Sequence, residues 1–231
     1  MKLNKLLALI AVAAIFVACD NGTKTDAANT ADTENVDGNA AQTDSKLSGT
    51  LNINSEASYV HWTAAKLLSA GHHGNITVSE GSIAVDNGNI TGGSFTFDLN
   101  SLVVLDEDME DDKKAYLTSH LMGTQGDETA NDFFNVNKYP TAQFVVKSVK
   151  EGSETSHIVV GDLTIKDVTK QVEVPFNVNM TENALTATGS VSIDRTEWGI
   201  VYNSKGFFEN VADNYAIRDD VKLELNIEAS L

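Results

Sequence analysis

Between Gly161 and Met180 the chain alternates, residue by residue, between side chains that avoid water and side chains that seek it. Leu163 and Ile165 stand among Asp162, Thr164 and Lys166. Beyond a short polar turn, Val172, Val174, Phe176, Val178 and Met180 interleave with Gln171, Glu173, Pro175, Asn177 and Asn179. Successive side chains of a strand point to opposite faces, so the pattern specifies two antiparallel strands with one apolar and one wet face. Asp167 falls in the turn, where a left-handed backbone is expected and Asp tolerates it. An apolar face this continuous covers either packed side chains or a ligand.

The same alternation recurs across residues 47–231, a length that suits one domain. Ile76 and Val78 continue, past an expected turn at Glu80-Gly81, to Ile83 and Val85. Phe95, Phe97 and Leu99 share one face, as do Ala142, Phe144 and Val146, then Ile158 and Val160, then Leu185, Ala187 and Val191. Val221, Leu223, Leu225, Ile227 and Ala229 make the clearest strand, with Lys222, Glu224, Asn226 and Glu228 outside. Turns are expected at Asp86-Asn87-Gly88-Asn89 and at Thr91-Gly92-Gly93. One-sided strands of even spacing suit a closed antiparallel β-barrel, because closure removes exposed edges. The fold class is therefore all-β.

Residues 107–122 break the rhythm. Acidic residues open the segment, Lys113-Lys114 follow, and Leu117 and Leu121 stand one helical turn apart. A helix is expected there, its acidic start matched to the macrodipole and its leucines facing the barrel. After a loop, Phe133 and Phe134 read equally well as a lid over a barrel mouth or as a packing plug.

The N-terminus reads as an address. Met1 to Lys5 is short and basic, and the apolar run from Leu6 to Ala18 is too short to span a bilayer but suits a secretory signal. It ends in Phe16-Val17-Ala18-Cys19, which resembles the lipobox of bacterial lipoproteins, with Phe16 where Leu is usual. That resemblance implies a signal peptide over 1–18 and an acylated Cys19. Residues 20–46 hold almost no large apolar side chain and read as a tether. The cysteine is the only one, so no intramolecular disulfide can form. The formal charge of −17 argues against nucleic acid as a partner.

Candidate chemistry is sparse. Adjacent histidines such as His72 and His73 point to opposite faces of a strand, so they share a metal only from a loop. The plainer reading puts them in a solvated hairpin between Gly71 and Gly74. His61 and Trp62 are expected on opposite faces of their strand, one of them lining the interior. There is no Gly-x-Ser-x-Gly elbow, phosphate-cradling glycine loop or dinucleotide fingerprint. Nothing places two carboxylates for acid–base work, and no catalytic residue is assigned. Arg195 either pairs with a carboxylate or faces an anionic group. The aromatic residues Trp62, Phe95, Phe97, Phe144, Phe176 and Trp198 fall in or beside strands, where patterning alone favours packed core.

A resemblance redirects that reading. Gly161-Asp162-Leu163-Thr164-Ile165-Lys166 with Val168-Thr169-Lys170 resembles a block of the YceI-like family of bacterial envelope proteins. Further blocks agree in order: Gly71 to Ile76, Gly93 to Asp98, His120-Leu121 with Asp132 to Val136 and Lys138 to Phe144, and Ser192 to Ile200. The resemblance covers nearly all of residues 50–231. Asp167 stands where the family often has Gly and Gln171 where Pro is common, and the loop 122–131 looks longer than usual.

The resemblance implies a lipocalin-like, extended antiparallel barrel of about eight strands, with one helix near the mouth and a polyisoprenoid chain in its lumen. At about 0.3 kcal/mol per atom, a chain of roughly forty carbons would bind with near 12 kcal/mol, on a nanomolar scale. Trp62, Phe95, Phe97, Phe144, Phe176 and Trp198 then become lining, joined by Leu117, Leu121, Phe133 and Phe134. Arg195 and His120 are candidates for the head-group end. The expectation is a non-enzymatic, lipid-anchored binder or carrier in the bacterial envelope, held to the membrane through Cys19 and needing no cofactor or metal. The sequence leaves a homodimer open. The rivals are a metal-assisted enzyme acting on such a lipid and a structural or stress-protective protein with a packed barrel.

Overall fold

The computed structural model describes residues 46–231 of the chain; the expected signal peptide, Cys19 and nearly all of the tether lie outside the described residues. The strands are β1 (Gly49–Ile53), β2 (Tyr59–Lys66), β3 (His72–Asp86), β4 (Asn89–Val104), β5 (Thr141–Glu151), β6 (His157–Ile165), β7 (Val168–Met180), β8 (Ala184–Asp194) and β9 (Ile217–Ser230). One helix, α1 (Asp111–Met122), follows β4, and a short 3-10 turn, Arg195–Trp198, follows β8. The sheet runs β1-β3-β2-β9-β8-β7-β6-β5-β4, every neighbour antiparallel, and β4 pairs back to β3. This is a closed barrel of eight staves, the all-β class expected, with nine strands because one stave is built from two.

The divided stave lies between β3 and β9. β2 pairs with one end of each and β1 with the other, through Gly49↔Val85 and Asn52↔Ser230. In the break between them, Ser58 is fully buried, accepts a hydrogen bond from the Glu228 amide and donates to the Glu228 carbonyl. Asn54 donates its amide to the same carbonyl, and Val78 donates to the Ser58 carbonyl. The ladder is interrupted without leaving these buried groups unpaired.

Two expected turns prove to be strand. Glu80-Gly81 lies inside β3, at a bulge between Val78 and Glu80, and Thr91-Gly92-Gly93 lies inside β4. Glycine signals a bulge or a close backbone approach as readily as a turn. A Cβ on Gly81 would stand 2.6 Å from the Ser94 carbonyl oxygen of the paired strand. The turn expected at Asp86–Asn89 is real, with Asn87 and Gly88 both at positive φ. In the β6–β7 hairpin Asp167 is left-handed, as expected, and so is Lys166.

The helix is shorter than expected at its start. Glu110 has extended backbone as the N-cap, α1 opens with Asp111 and Asp112, and Gly123 at φ 74 ends it. No residue of α1 is fully buried, although Leu117 and Leu121 pack against the core. It lies across the end of the barrel rather than inside it. No described helix is long and apolar enough to cross a membrane.

Candidate ligand-binding lumen

Strand alternation sends one face of every stave inward. The apolar residues of β7, Val172, Val174, Phe176 and Val178, share that interior with Val159 and Leu163 of β6, Phe95 and Phe97 of β4, and Leu223, Leu225 and Ile227 of β9. They surround a cavity of about 200 Å³ in which, among the described residues, Arg195 is the only charged lining residue. A water needs about 10–15 Å³ and two to four polar partners, so this space has room for water but offers it few partners, and suits an apolar ligand better.

Of the residues expected to line the interior, Trp62, Phe95, Phe97, Phe144, Phe176, Trp198, Leu121, Phe133 and Phe134 all border this cavity. Leu117 borders a second cavity, of about 260 Å³, formed also by His72, His120, Tyr202, Asn203 and Tyr215. Trp62, Leu121 and Phe133 belong to both, so the second cavity continues the lumen toward the end of the barrel covered by α1. The two tryptophans differ. Trp198 donates its indole N–H to the Leu163 carbonyl at 3.1 Å, while the Trp62 N–H has no acceptor among the described residues.

Inward glycines lie under three of the aromatic rings. A Cβ on Gly161 would meet Phe144 Cζ at 2.3 Å, one on Gly189 would meet Phe176 Cε1 at 2.6 Å, and one on Gly74 would meet Trp62 Cζ2 at 2.8 Å. Trp62↔Gly74 and Phe176↔Gly189 are direct cross-strand pairs. Each ring therefore occupies space at the wall that any larger residue would deny it.

The mouth is held by polar contacts that the sequence pattern did not disclose. Lys166 donates from Nζ to the Phe133 carbonyl at 2.6 Å and to the Asn131 carbonyl at 3.3 Å, latching the segment that carries Phe133 and Phe134 onto the β6–β7 hairpin. Burial lowers its pKa below the ordinary 10.5, against the opposing pull of Asp132. His120 pairs with Asp132 at 2.9 Å, and its ring stands edge-on to Phe133 and Tyr202 at centroid distances of 5.3 and 5.2 Å. His120 thus stands in an aromatic cluster beside the second cavity.

Arg195 is 4% exposed and largely committed to the protein. Its guanidinium donates to the carbonyls of Arg218, Ile200 and Ile217 and to Asp219 Oδ1. Burial lowers its pKa, with Asp219 and then Asp194 pulling the other way. These bonds fasten the 3-10 turn to the start of β9. Four of the five N–H groups are used, which leaves little for a head group.

His72 and His73 sit in the β2–β3 hairpin, as expected, with their side chains only about one-third exposed. They open β3 and bracket Asp106, whose Oδ2 lies 2.5 Å from His72 Nδ1 while its Oδ1 accepts from the His73 amide at 2.9 Å. The missed partner is separated from them by all of β3 and β4, beyond reach of local patterning. Trp62 faces the lumen and His61 lies on the other face, 2.8 Å from Asn75 Oδ1. Among the described residues, no three His, Cys, Asp or Glu side chains form a group able to hold a metal ion.

An eight-stave antiparallel barrel with an apolar interior and one helix packed at its end is a lipocalin-like architecture. The YceI-like domain matches residues 51–229, and the chain belongs to that family. It is 30% identical over 121 residues to a UPF0312 protein of Pseudomonas putida, a match that covers 52% of this chain and 56% of the relative, little more than half its length. A UPF0312 protein of Pseudomonas syringae pv. tomato is 41% identical over 51 residues, 22% of this chain and 27% of that one.

Solved structures share the fold. BcnA of Burkholderia cenocepacia superposes with a TM-score of 0.55 at 20% identity, covering 75% of this chain and 96% of that one. A polyisoprenoid-binding domain from Saccharophagus degradans, implicated in plant cell wall breakdown, gives 0.51 at 12% identity over 80% and 99%.

Proposed function

We propose that this protein binds or carries a polyisoprenoid-type lipid in its lumen, without covalent chemistry, while an acylated Cys19 holds it to a membrane of the bacterial envelope. The observation that carries the reading is the apolar cavity walled by inward side chains from every stave. At about 24 cal/mol per Å³, leaving some 200 Å³ unfilled costs on the order of 5 kcal/mol, a large part of the 5–15 kcal/mol that holds a typical domain together. A protein selected only to be a packed barrel would close that space with larger side chains. A long apolar chain fills it and recovers the lost contacts. The polyisoprenoid-binding structural neighbour supports the same ligand class.

The head group belongs, on this reading, in the second cavity. His120, Tyr202, Asn203 and Tyr215 offer polar atoms there, next to the apolar channel. The reading requires no cofactor and no metal.

Mass spectrometry of organic extracts from the purified full chain tests the ligand. A prenyl lipid in stoichiometric amount is expected; no co-purified lipid and no binding of added polyprenols would remove the proposal. Cys19→Ser is expected to move the chain from the membrane fraction to the soluble envelope fraction and to abolish incorporation of labelled fatty acid.

A further inference from the structure

Gly161 and Gly189 stand where the inward alternation of β6 and β8 calls for a side chain. Each is flanked two residues away on both sides by lumen-lining residues: Val159 and Leu163 in β6, Ala187 and Val191 in β8. Each position is occupied instead by a ring from a neighbouring strand. The Cβ position of Gly161 lies 2.3 Å from Phe144 Cζ and 2.7 Å from Cε2, and that of Gly189 lies 2.6 and 2.7 Å from Phe176 Cε1 and Cδ1. Neither glycine has a positive φ, so backbone conformation does not require them. What they supply is room. A ring pushed off its glycine cannot pass outward through a hydrogen-bonded wall, so it must move toward the axis of the barrel.

We infer that Gly161 with Phe144 and Gly189 with Phe176 form a ruler that sets the bore of the lumen and so the length of apolar chain it accepts. The inference rests on the lipid-binding reading and adds to it a cause of selectivity. The two pairs come from different staves, so the bore is controlled at two places. Gly74, under Trp62, is no part of the ruler, because a Cβ there would stand 1.8 Å from the Val103 carbonyl oxygen and break the wall itself. The two ruler glycines are less constrained by backbone, at 2.7 Å from the Val145 carbonyl oxygen and 2.9 Å from that of Pro175.

The test titrates the full chain, wild type and substituted, with all-trans polyprenols of graded length and reads the best-bound length by native mass spectrometry. Gly189→Ala and Gly161→Ala are expected to shift the optimum to shorter chains and to weaken binding of the wild-type optimum by about tenfold, the order that one misplaced methylene costs in an apolar pocket. Phe176→Leu and Phe144→Leu, which keep the glycines and shrink the rings, are expected to shift it the other way, and they serve if the alanine variants fail to fold. An optimum unchanged in the leucine variants, or shifted in the same direction by both classes, overturns the ruler while leaving lipid binding intact. A wild-type chain that binds no polyprenol of any length overturns the ruler together with the reading beneath it.

Discussion

The β6–β7 hairpin and the segments covering the mouth meet at Lys166, yet they are held by different forces. In the hairpin every second side chain faces an apolar interior, and nine consecutive residue pairs run from Ile165↔Val168 to His157↔Phe176. The segments at the mouth pack α1, Phe133 and Tyr202 around a few polar contacts: Lys166 to two carbonyls, His120 to Asp132, and His72 to Asp106. Leu68 and Tyr116 in this region stay two-thirds exposed, whereas Leu163 and Val174 in the hairpin are buried. The wall should therefore govern stability and affinity, and the mouth the rate at which ligand enters and leaves.

Substitution inside the wall is the strongest way to break that contrast. Trp198→Ala removes a buried ring and its bond to the Leu163 carbonyl, and should cost about 3–5 kcal/mol in urea denaturation. Val174→Thr keeps the shape but puts a hydroxyl in the apolar lumen. A loss of about 1–3 kcal/mol in stability and roughly tenfold in polyprenol affinity is expected, read by denaturation and by titration.

Changes at the mouth should move kinetics more than equilibrium. Lys166→Met unlatches the Asn131–Phe133 segment but also removes a half-buried charge, so stability should change by no more than about 1 kcal/mol. Release of bound lipid, followed by transfer to acceptor vesicles, should quicken several-fold. The pH dependence carries a sign. Burial sets the folded pKa of Lys166 below its unfolded value of 10.5, so between those two values the unfolded chain holds more protons. The contribution of Lys166 to stability therefore rises with pH through that window, and the stability difference between wild type and Lys166→Met should drift in favour of wild type there. A difference that is flat across the window would contradict the burial of this amine. Smallest of all, Phe207→Ser at a 60% exposed position should leave stability within about 0.5 kcal/mol by thermal melting.

The same contrast separates what was legible in the sequence from what was not. A strand writes its inward face at every second residue, so Phe176, Phe97 and Leu225 could be assigned to the interior from alternation alone. The glycines at 81, 92 and 93 misled because a residue without a side chain marks a turn, a bulge and a close approach alike. At the mouth the partners are distant in sequence: Lys166 meets Phe133 and Arg195 meets Ile217. No local pattern records such pairings, which is why the sequence leaves Arg195 between a carboxylate and a head group, whereas the structure pairs it with Asp219 and the carbonyls of Ile200, Ile217 and Arg218. Alternation also says nothing about whether an inward face is packed or hollow. The two ruler glycines were the available signal, since small residues at inward positions leave space that inward aromatics alone do not imply.

The place of β9 in the sheet has a consequence for assembly. It lies between β2 and β8, pairing Tyr59 with Asn226 and Leu185 with Ala229, and it also reaches β1 at Asn52↔Ser230. Until that last strand docks, the other staves form an open sheet with no interior, and the contacts that close it join residues more than a hundred and fifty positions apart. Closure of that kind is slow, because the loop entropy is lost before the contacts repay it. A chain that becomes available N-terminus first stays unclosed until β9 is free. A ligand lying against the open sheet at that moment would be wrapped by the protein rather than threaded into it.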